Sequence, residues 1–503
     1  MKATRRDFLK TASAIPLLSL PKQSSASPGP RRPNILVILV DQMNLDAISA
    51  YRDIFRDKAY NCHWLETPNL DRLVASGTSF IESHSADPIC SPARASIWTG
   101  RMACEHGVIY NNAGIDRRVP NLGEWFGKHS DYRRVYCGKW HAGGAWDIPA
   151  VSGARSVPGF EVLPVGSYGN GKVMDVQIST AVEAFIRNDQ DASPFLIVAG
   201  LLNPHDCCFW TPNFSKGLIT ASDDLYQLGE NLPVLPPNHR KFPDDSGLCS
   251  PRVPEHQWTS VQWRNYLYDY VRQIETLDRD VGRMLSAVES RSDETVVIFT
   301  SDHGDGNGRH HRLAKWHPYE SSVKVPLIIS GPNVTPGQVD RAHLVSHVDL
   351  VPTICDLAGI PAPPDVRGRS LRPLLDGRES VEWRDDVYYS FYYTGRAVRT
   401  ERYKYVMRYA FSKYTGRPQH KGAGAEDRPF VDAATGEAAR FAAGQSHRFE
   451  RQPRELLFDI QTDPWETCNL AEQPDYESVL QEHRQRLERW EERLTIGRRF
   501  DRN

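Results

Sequence analysis

The hydrophobic residues of the chain lie in continuous apolar runs separated by longer amphipathic segments. Four runs, rich in β-branched residues, have the length and composition of strands buried on both faces: residues 35–40, 195–199, 295–300 and 325–329. Between these runs, residues 67–76 and 263–288 carry apolar side chains at helical spacing. Strands that alternate with helices predict an α/β fold with a mostly parallel central sheet flanked by helices.

The pattern changes after about residue 375. Three segments alternate aromatic and polar residues and predict exposed antiparallel strands: residues 387–393, 402–409 and 455–459. Residues 476–498 predict a terminal amphipathic helix, whose apolar side carries Leu480, Leu487, Trp490 and Leu494. We therefore predict a large α/β domain over residues 31–375 and a smaller α+β domain, with an antiparallel sheet, over residues 376–503. Residues 410–453, rich in Gly, Ala and polar residues, are interpreted as a surface insertion.

Residues 1–30 have the order of features of a twin-arginine export signal followed by a linker. Arg5 and Arg6 precede Phe8 and Leu9, a short apolar run follows, and a Ser-rich stretch ends near Ala26. The run is shorter than the roughly 20 residues that span a bilayer. We expect a protein that is handed to twin-arginine export machinery, is not membrane-spanning, and is periplasmic or secreted.

Composition narrows the function classes. The 503 residues are 40% hydrophobic, which excludes a disordered chain. The 61 basic and 63 acidic residues leave a formal net charge of −2, which gives no electrostatic basis for nucleic-acid binding.

Side chains that can bind a metal follow two of the predicted strands. Asp41 and Gln42 come after the first strand, and Asp302 and His303 come after the third. In open α/β sheets the carboxyl ends of the strands form the ligand site. Oxygen ligands with one imidazole suit a hard divalent cation such as Ca²⁺ or Mg²⁺. Helix capping by the same carboxylates is the alternative interpretation.

A cysteine is the third candidate. Cys90 precedes Arg94 by four residues, so the two side chains would share one face of a helix. A cation in that place lowers a thiol pKa or orients an anion. Taken alone, such a cysteine is more often a buried core thiol than a nucleophile.

Together these motifs resemble the sulfatases of the alkaline-phosphatase-like superfamily. The resemblance extends over roughly residues 33–470. Its motifs are Cys90-Ser-Pro-Ala-Arg94 with Thr99-Gly-Arg101, Gly138-Lys-Trp-His141, Asn203-Pro-His205, Ser301-Asp-His-Gly-Asp305 with His310 and Lys315, and Glu455-Leu-Leu-Phe-Asp459 with Asp463 and Asn469.

The resemblance implies a formylglycine made from Cys90 by a formylglycine-generating enzyme, and a divalent cation, Ca²⁺ in preference to Mg²⁺. The implied metal ligands are Asp41, Gln42, Asp302, His303 and the modified Cys90. Among the implied catalytic residues, the modified Cys90 provides the nucleophile, and Arg94 and Lys139 stabilise charge. His141 is the implied base, and His205 and Lys315 are implied to bind sulfate and protonate the leaving group. His310 is expected to contact substrate. Gln42 stands where many members have Asp, and His303 where some have Asn.

The resulting expectation is an exported sulfatase that acts on sulfated small molecules or oligosaccharides, with sulfated polysaccharide fragments favoured. Two alternatives remain open from the sequence. One is a phosphonate or phosphate ester hydrolase on the same scaffold. The other is a relative without catalytic activity that binds carbohydrate.

Overall fold

The computed structural model of the protein describes residues 32–55, 65–111, 113–143, 156–165, 170–208, 232–243, 245, 253, 258–291, 294–377, 381–391, 395–408 and 455–500. The export signal predicted for residues 1–30 and the insertion predicted for residues 410–453 lie outside the described residues. Within the described part of the chain, no helix has both the length and the apolar character needed to cross a bilayer.

A mixed, mostly parallel sheet forms the centre of the molecule. The strands of the first part of the chain are β1 (Asn34–Asp41), β2 (Gly77–Phe80), β3 (Ser83–His84), β4 (Arg133–Gly138), β5 (Glu161–Val162), β6 (Phe195–Pro204), β7 (Thr295–Ser301), β8 (Leu327–Ser330), β9 (Gln338–Asp340) and β10 (Val345–Ser346). The central sheet has the order β5-β4-β6-β1-β7-β8-β2-β9, and β3 pairs with β10 separately. Strand β8 is antiparallel to both of its neighbours, and the other described pairs of this sheet are parallel. The predicted α/β fold class is confirmed.

Helices cover both faces of the central sheet. The α-helices of the described chain are α1 (Pro68–Ser76), α2 (Cys90–Thr99), α3 (Ala103–His106), α4 (Leu122–His129), α5 (Gly171–Asn188), α6 (Ser260–Glu289), α7 (Glu320–Val323), α8 (Leu350–Leu357), α9 (Arg372–Leu375) and α10 (Glu477–Phe500). Of these, α7 and α10 pack on a second sheet in the C-terminal part. On β1, Leu36 and Ile38 pack towards α1, α5 and α6, whereas Ile35 and Val37 pack towards α2, α4 and α8. Burial on both faces is why this strand is a continuous apolar run.

The C-terminal part forms a second sheet. Its strands β11 (Asp386–Phe391), β12 (Gly395–Thr400), β13 (Tyr403–Arg408) and β14 (Glu455–Asp459) are antiparallel and adjacent in chain order. One face packs on α10 through residues such as Tyr405 and Leu487. The other face packs on Tyr319, which directly precedes α7, and on Val323, which ends it. The prediction of exposed strands was therefore wrong, because other parts of the molecule cover both faces of this sheet.

Some elements gave too weak a signal in the sequence. Strand β4 begins with two arginines, although Val135 and the following residues are buried. Strand β12 contains Arg399, which is only 3% exposed and pairs with Glu82 and Glu320 at 3.3 and 3.7 Å.

The predicted boundary near residue 375 falls inside the compact unit Pro33–Asn503, and the two-domain division stays a prediction.

Gly138 is a backbone position on which the site depends, because it ends β4 directly before Lys139. Its φ is 98°, and a Cβ atom there would lie 2.2 Å from the carbonyl oxygen of Gly200 in β6. We expect Gly138→Ala to lower the free energy of unfolding by more than the roughly 1 kcal/mol typical of such a substitution, because β4 and β6 must also separate. Urea unfolding measures the loss. Gly107→Ala is the matched control, with a φ of 80° and no atom within 4 Å of the added Cβ. Equal losses in the two variants would contradict the expectation.

Candidate active site

The acidic residues meet at one edge of the central sheet. Strands β1 and β7 are parallel neighbours, with Val40 opposite Ser301, so Asp41 and Asp302 leave the sheet side by side. The chain turns sharply after β1, since Gln42 has a φ of 72°. The backbone N–H of Gln42 donates to Asp302 Oδ1 at 3.1 Å, which joins the two strand ends.

Cys90 enters this edge as the first residue of helix α2. Its Sγ lies 3.2 Å from His303 Nε2, 3.8 Å from Asp41 Oδ1 and 2.8 Å from Lys315 Nζ. The side chain is buried, with 1% of the residue exposed. The thiol is therefore at the centre of the polar cluster and is not a core residue of the apolar kind.

Arg94, one helical turn after Cys90, binds both acids. Its Nε donates to Asp302 Oδ2 at 2.8 Å, and one of its terminal nitrogens donates to Asp41 Oδ2 at 3.1 Å. The other donates to the carbonyl oxygen of Lys139 at 2.8 Å. The Lys139 ammonium also lies 2.5 Å from Asp41 Oδ2. All four ionic side chains are buried, so their charges interact with little screening by solvent.

The cations around Cys90 outweigh the cost of its burial. Burial alone would raise the pKa of the Cys90 thiol, but Lys139, Lys315, His303 and a hydrogen bond with His141 hold that pKa well below its usual range. The site thus stabilises a negative charge at position 90.

Asp41 is held in its ionised form. Burial and Cys90 act to raise the pKa of Asp41, but the charges of Lys139, His205 and Lys315 together keep it well below the usual range. His205 itself directly follows β6, which ends at Pro204.

His141 is a neutral imidazole in the cluster. Burial lowers its pKa to about 4, against the opposing effect of its hydrogen bond with Cys90. The imidazole is therefore uncharged near pH 7 and able to accept a proton. Its φ of 53° turns the chain after Lys139 so that both residues reach the same site.

Most of the predicted site residues meet around Cys90. The side chains in contact with it or with its immediate partners are those of Asp41, Arg94, Lys139, His141, Asp302, His303 and Lys315. Gln42 joins them through Lys315, whose Nζ donates to Gln42 Oε1 at 2.9 Å. The chemical roles of these residues stay predictions.

His310 lies beside the C-terminal segment. Its Nε2 is 3.1 Å from the carbonyl oxygen of Glu466, and its ring stacks on Tyr319 at 3.8 Å between centroids. The expected contact of His310 with substrate stays a prediction.

Sequence reasoning did not assign Asp305 or Tyr266 to the site. Asp305 Oδ2 accepts from Gln42 Nε2 at 2.6 Å and lies 3.1 Å from the Tyr266 hydroxyl. Asp305 is part of the Ser301–Asp305 motif, which gave a signal. Tyr266 was identified only as part of the apolar face of a helix.

The donor set fits a divalent cation. The ligand atoms of Asp41, Cys90, Asp302 and His303 all lie within 4.8 Å of one another. Burial and the adjacent Asp41 raise the pKa of Asp302, as expected of two carboxylates that compete in a water-poor site. A hard cation between them would relieve this repulsion.

A second group of possible ligands, Glu82, His84 and Glu320, is better explained as an ion-pair network. Lys324 Nζ lies 2.6 Å from Glu82, and Lys404 Nζ lies 2.6 Å from Glu320. Lysines therefore already balance the charges of both acids. Because Lys404 belongs to β13, this group links the C-terminal sheet to the rest of the molecule.

Fold and site together define an alkaline-phosphatase-like α/β hydrolase. The chain belongs to the sulfatase family: the family model Sulfatase matches residues 33–360, and the model N-sulphoglucosamine sulphohydrolase, C-terminal, matches residues 308–415. The predicted family is confirmed, and the protein is a sulfuric ester hydrolase. This result sets aside the alternative of a carbohydrate-binding relative without activity.

Individual relatives cover nearly the whole chain. The Delta 4,5-hexuronate-2-O-sulfatase of Bacteroides thetaiotaomicron is 27% identical over 488 residues, which cover 92% of this chain and 90% of the relative. A solved 2-O GAG sulfatase matches with a TM-score of 0.69 and 25% identity, over 93% of this chain and 94% of the other. The phosphonate monoester hydrolase of Agrobacterium radiobacter shares the fold, with a TM-score of 0.66 and 23% identity over 92% and 96% of the two chains.

Replacement of Arg94 tests whether its guanidinium stabilises the buried carboxylates of Asp41 and Asp302. We expect Arg94→Ala to lower the free energy of unfolding by about 3–5 kcal/mol, because two buried carboxylates lose their shared cation. Urea unfolding of the purified variants measures it. The control is Arg118→Ala, whose side chain is 74% exposed and pairs with Asp116, and which should cost about 0–1 kcal/mol. Similar stability of the two variants would contradict the role given to Arg94.

Proposed function

We propose that the protein is an exported sulfatase that releases sulfate from carbohydrate sulfate esters, using a formylglycine at position 90 and a divalent cation. One observation carries the proposal. Buried ammonium groups converge on the Cys90 side chain: Lys315 Nζ lies 2.8 Å from Sγ, and the charge of Lys139 also lowers the pKa of the thiol. Such a place favours an anionic group and the transfer of negative charge during reaction.

Cys90 is suited to conversion into formylglycine, a two-electron oxidation of its CH₂–SH group to CHO in which a formylglycine-generating enzyme would supply the oxidant and release the sulfur as sulfide. Its motif, Cys-Ser-Pro-Ala-Arg, is the one that resembles the family signature. When present and hydrated, the aldehyde supplies an oxygen nucleophile for the sulfate ester.

Asp41, Asp302, His303 and the modified residue 90 would hold the cation. Carboxylate oxygens suit a hard cation, and the family resemblance favours Ca²⁺ over Mg²⁺. When bound, the cation supplies Lewis acidity that lowers the pKa of the nucleophile and polarises sulfate oxygens. Gln42 as a further ligand stays a prediction, and its amide oxygen accepts from Lys315 at 2.9 Å.

The remaining residues divide the work of charge and proton transfer. Arg94 and Lys139 fix Asp41, and Lys139 and Lys315 stabilise negative charge at position 90. His141, being neutral, would accept the proton of the hydroxyl left on residue 90.

Sulfate binding and leaving-group protonation fall to Lys315 and His205. Although burial opposes it, Cys90 and Asp41 raise the pKa of Lys315. The Asp41 charge would remain after Cys90 is modified, so a protonated ammonium would be available to bind the sulfate group. We therefore assign protonation of the leaving oxygen to His205.

The substrate class follows from the names of relatives. One relative is a hexuronate 2-O-sulfatase, and one solved neighbour is a GAG sulfatase, so sulfated saccharides are the favoured substrates. The rival, a phosphonate hydrolase, is supported by a shared fold alone.

Export is proposed from the first thirty residues. Arg5 and Arg6 followed by a short apolar run support a twin-arginine route to the periplasm or the medium. That route carries folded proteins, so residue 90 would be modified before export.

Mass spectrometry of the exported protein tests modification and export together. We expect the mature chain to begin near residue 27, and the peptide with residue 90 to have lost the mass difference between CH₂–SH and CHO. Cys137 is the internal control, since its buried thiol, with a pKa raised to about 12, should remain unmodified. An intact Cys90 from a host with the generating enzyme would contradict the formylglycine, and an uncleaved cytoplasmic chain would contradict export.

Comparative kinetics test the substrate class. We expect sulfated oligosaccharides and an aryl sulfate to be hydrolysed faster than phenyl phosphonate, and activity to vanish with a chelator and return with Ca²⁺. Asp302→Asn is the control, since it should be inactive with or without chelator. Faster turnover of the phosphonate would replace the sulfatase proposal by its rival.

A further inference from the structure

We propose that Asp305 and Tyr266 are positioning residues that hold the Lys315 ammonium against position 90 through the side-chain amide of Gln42. The inference rests on the proposed function, in which Lys315 binds the sulfate group. It adds two residues to the catalytic apparatus, neither of which touches the reacting atoms.

Lys315 needs such a holder. Its ammonium sits at the end of a flexible four-carbon chain, and it must stay within 2.8 Å of the Cys90 side chain to act there. On its other side the ammonium donates to the Gln42 amide oxygen at 2.9 Å. The orientation of that amide therefore contributes directly to the placement of Lys315.

An amide group has an oxygen end and a nitrogen end, which can exchange places by rotation. With the observed orientation, Gln42 Oε1 faces the ammonium and Nε2 donates to the Asp305 carboxylate at 2.6 Å. Rotation would turn the NH₂ group towards the Lys315 cation and the oxygen towards the Asp305 anion. Both contacts would be repulsive, so Asp305 selects the orientation that binds Lys315.

Asp305 is itself fixed at both oxygens. Its Oδ1 accepts from the backbone N–H of Asn307 at 2.7 Å, and its Oδ2 lies 3.1 Å from the Tyr266 hydroxyl. Asp305 and Tyr266 are 0% and 1% exposed, respectively. The path Tyr266–Asp305–Gln42–Lys315 thus runs from the middle of the core to the site, and each member orients the next.

A buried acid can also have a purely structural role, and helix α6, which carries Tyr266, offers such a case. Asp278 in α6, 1% exposed, accepts from the backbone N–H of Leu70 at 2.8 Å and from Asn69 Nδ2 at 2.8 Å. Its bonds end at the beginning of α1. Asp305 differs because its bonds lead to the atom that contacts residue 90.

A double-mutant cycle tests the inference. Asp305→Asn should lower kcat/KM for 4-nitrophenyl sulfate by about 10- to 100-fold, the range seen when an outer hydrogen-bond partner is removed. In a Lys315→Ala background the same change should cost about 2-fold or less, the usual limit of additivity. Calorimetric binding of inorganic sulfate supplies the same cycle without turnover. Formylglycine and metal content should equal those of the parent protein.

Two further variants keep the test decisive. Tyr266→Phe preserves the packed ring, so it repeats the cycle if Asp305→Asn does not fold, and we expect a smaller loss that again disappears without Lys315. Asp278→Asn, the control, should lower the unfolding temperature and have an equal, small effect on kcat/KM in both backgrounds. Losses for Asp305→Asn or Tyr266→Phe that persist without Lys315, or no loss at all, would overturn the inference. An inactive parent carrying formylglycine would overturn the proposed function as well.

Discussion

The buried pairing of Arg94 with Asp41 and Asp302 is the interaction on which the site depends. Parallel strands β1 and β7 bring the two carboxylates together at 0% exposure, where their mutual repulsion is poorly screened. Arg94 reaches both at 2.8 and 3.1 Å from one helical turn beyond Cys90. The same bonds therefore hold the first turn of α2, and with it residue 90, against the edge of the sheet.

Around this core the remaining positive groups are contributed by separate segments of the chain. Lys139 follows β4, and Lys315 lies between β7 and α7. The segment after Lys315 packs beneath the C-terminal sheet through Tyr319 and Val323. The second sheet is thus part of the support of the site, although it provides none of the groups in contact with Cys90 among the described residues.

The sequence predicted the parts of the site that are local. Apolar runs indicated the central strands, and strand ends and motifs indicated Asp41, Cys90 and Asp302. The path from Tyr266 to Lys315 could not be predicted, because its members are up to 273 residues apart and meet only in the folded chain. Strand β12 was missed for a related reason: Arg399 looks like a surface residue until its buried partners Glu82 and Glu320 are known. The second sheet was called exposed because alternation alone does not show what covers each face.

The burial of Cys90 has a consequence for the order of events during synthesis. Lys315, which closes one side of the cluster, lies 225 residues further along the chain. At about 5–20 residues per second, the ribosome needs roughly 10–45 s to reach it. During that interval the cysteine has emerged but its enclosure has not been made. The long sequence separation between Cys90 and Lys315 thus provides a period in which an enzyme can still reach a side chain that ends with 1% exposure.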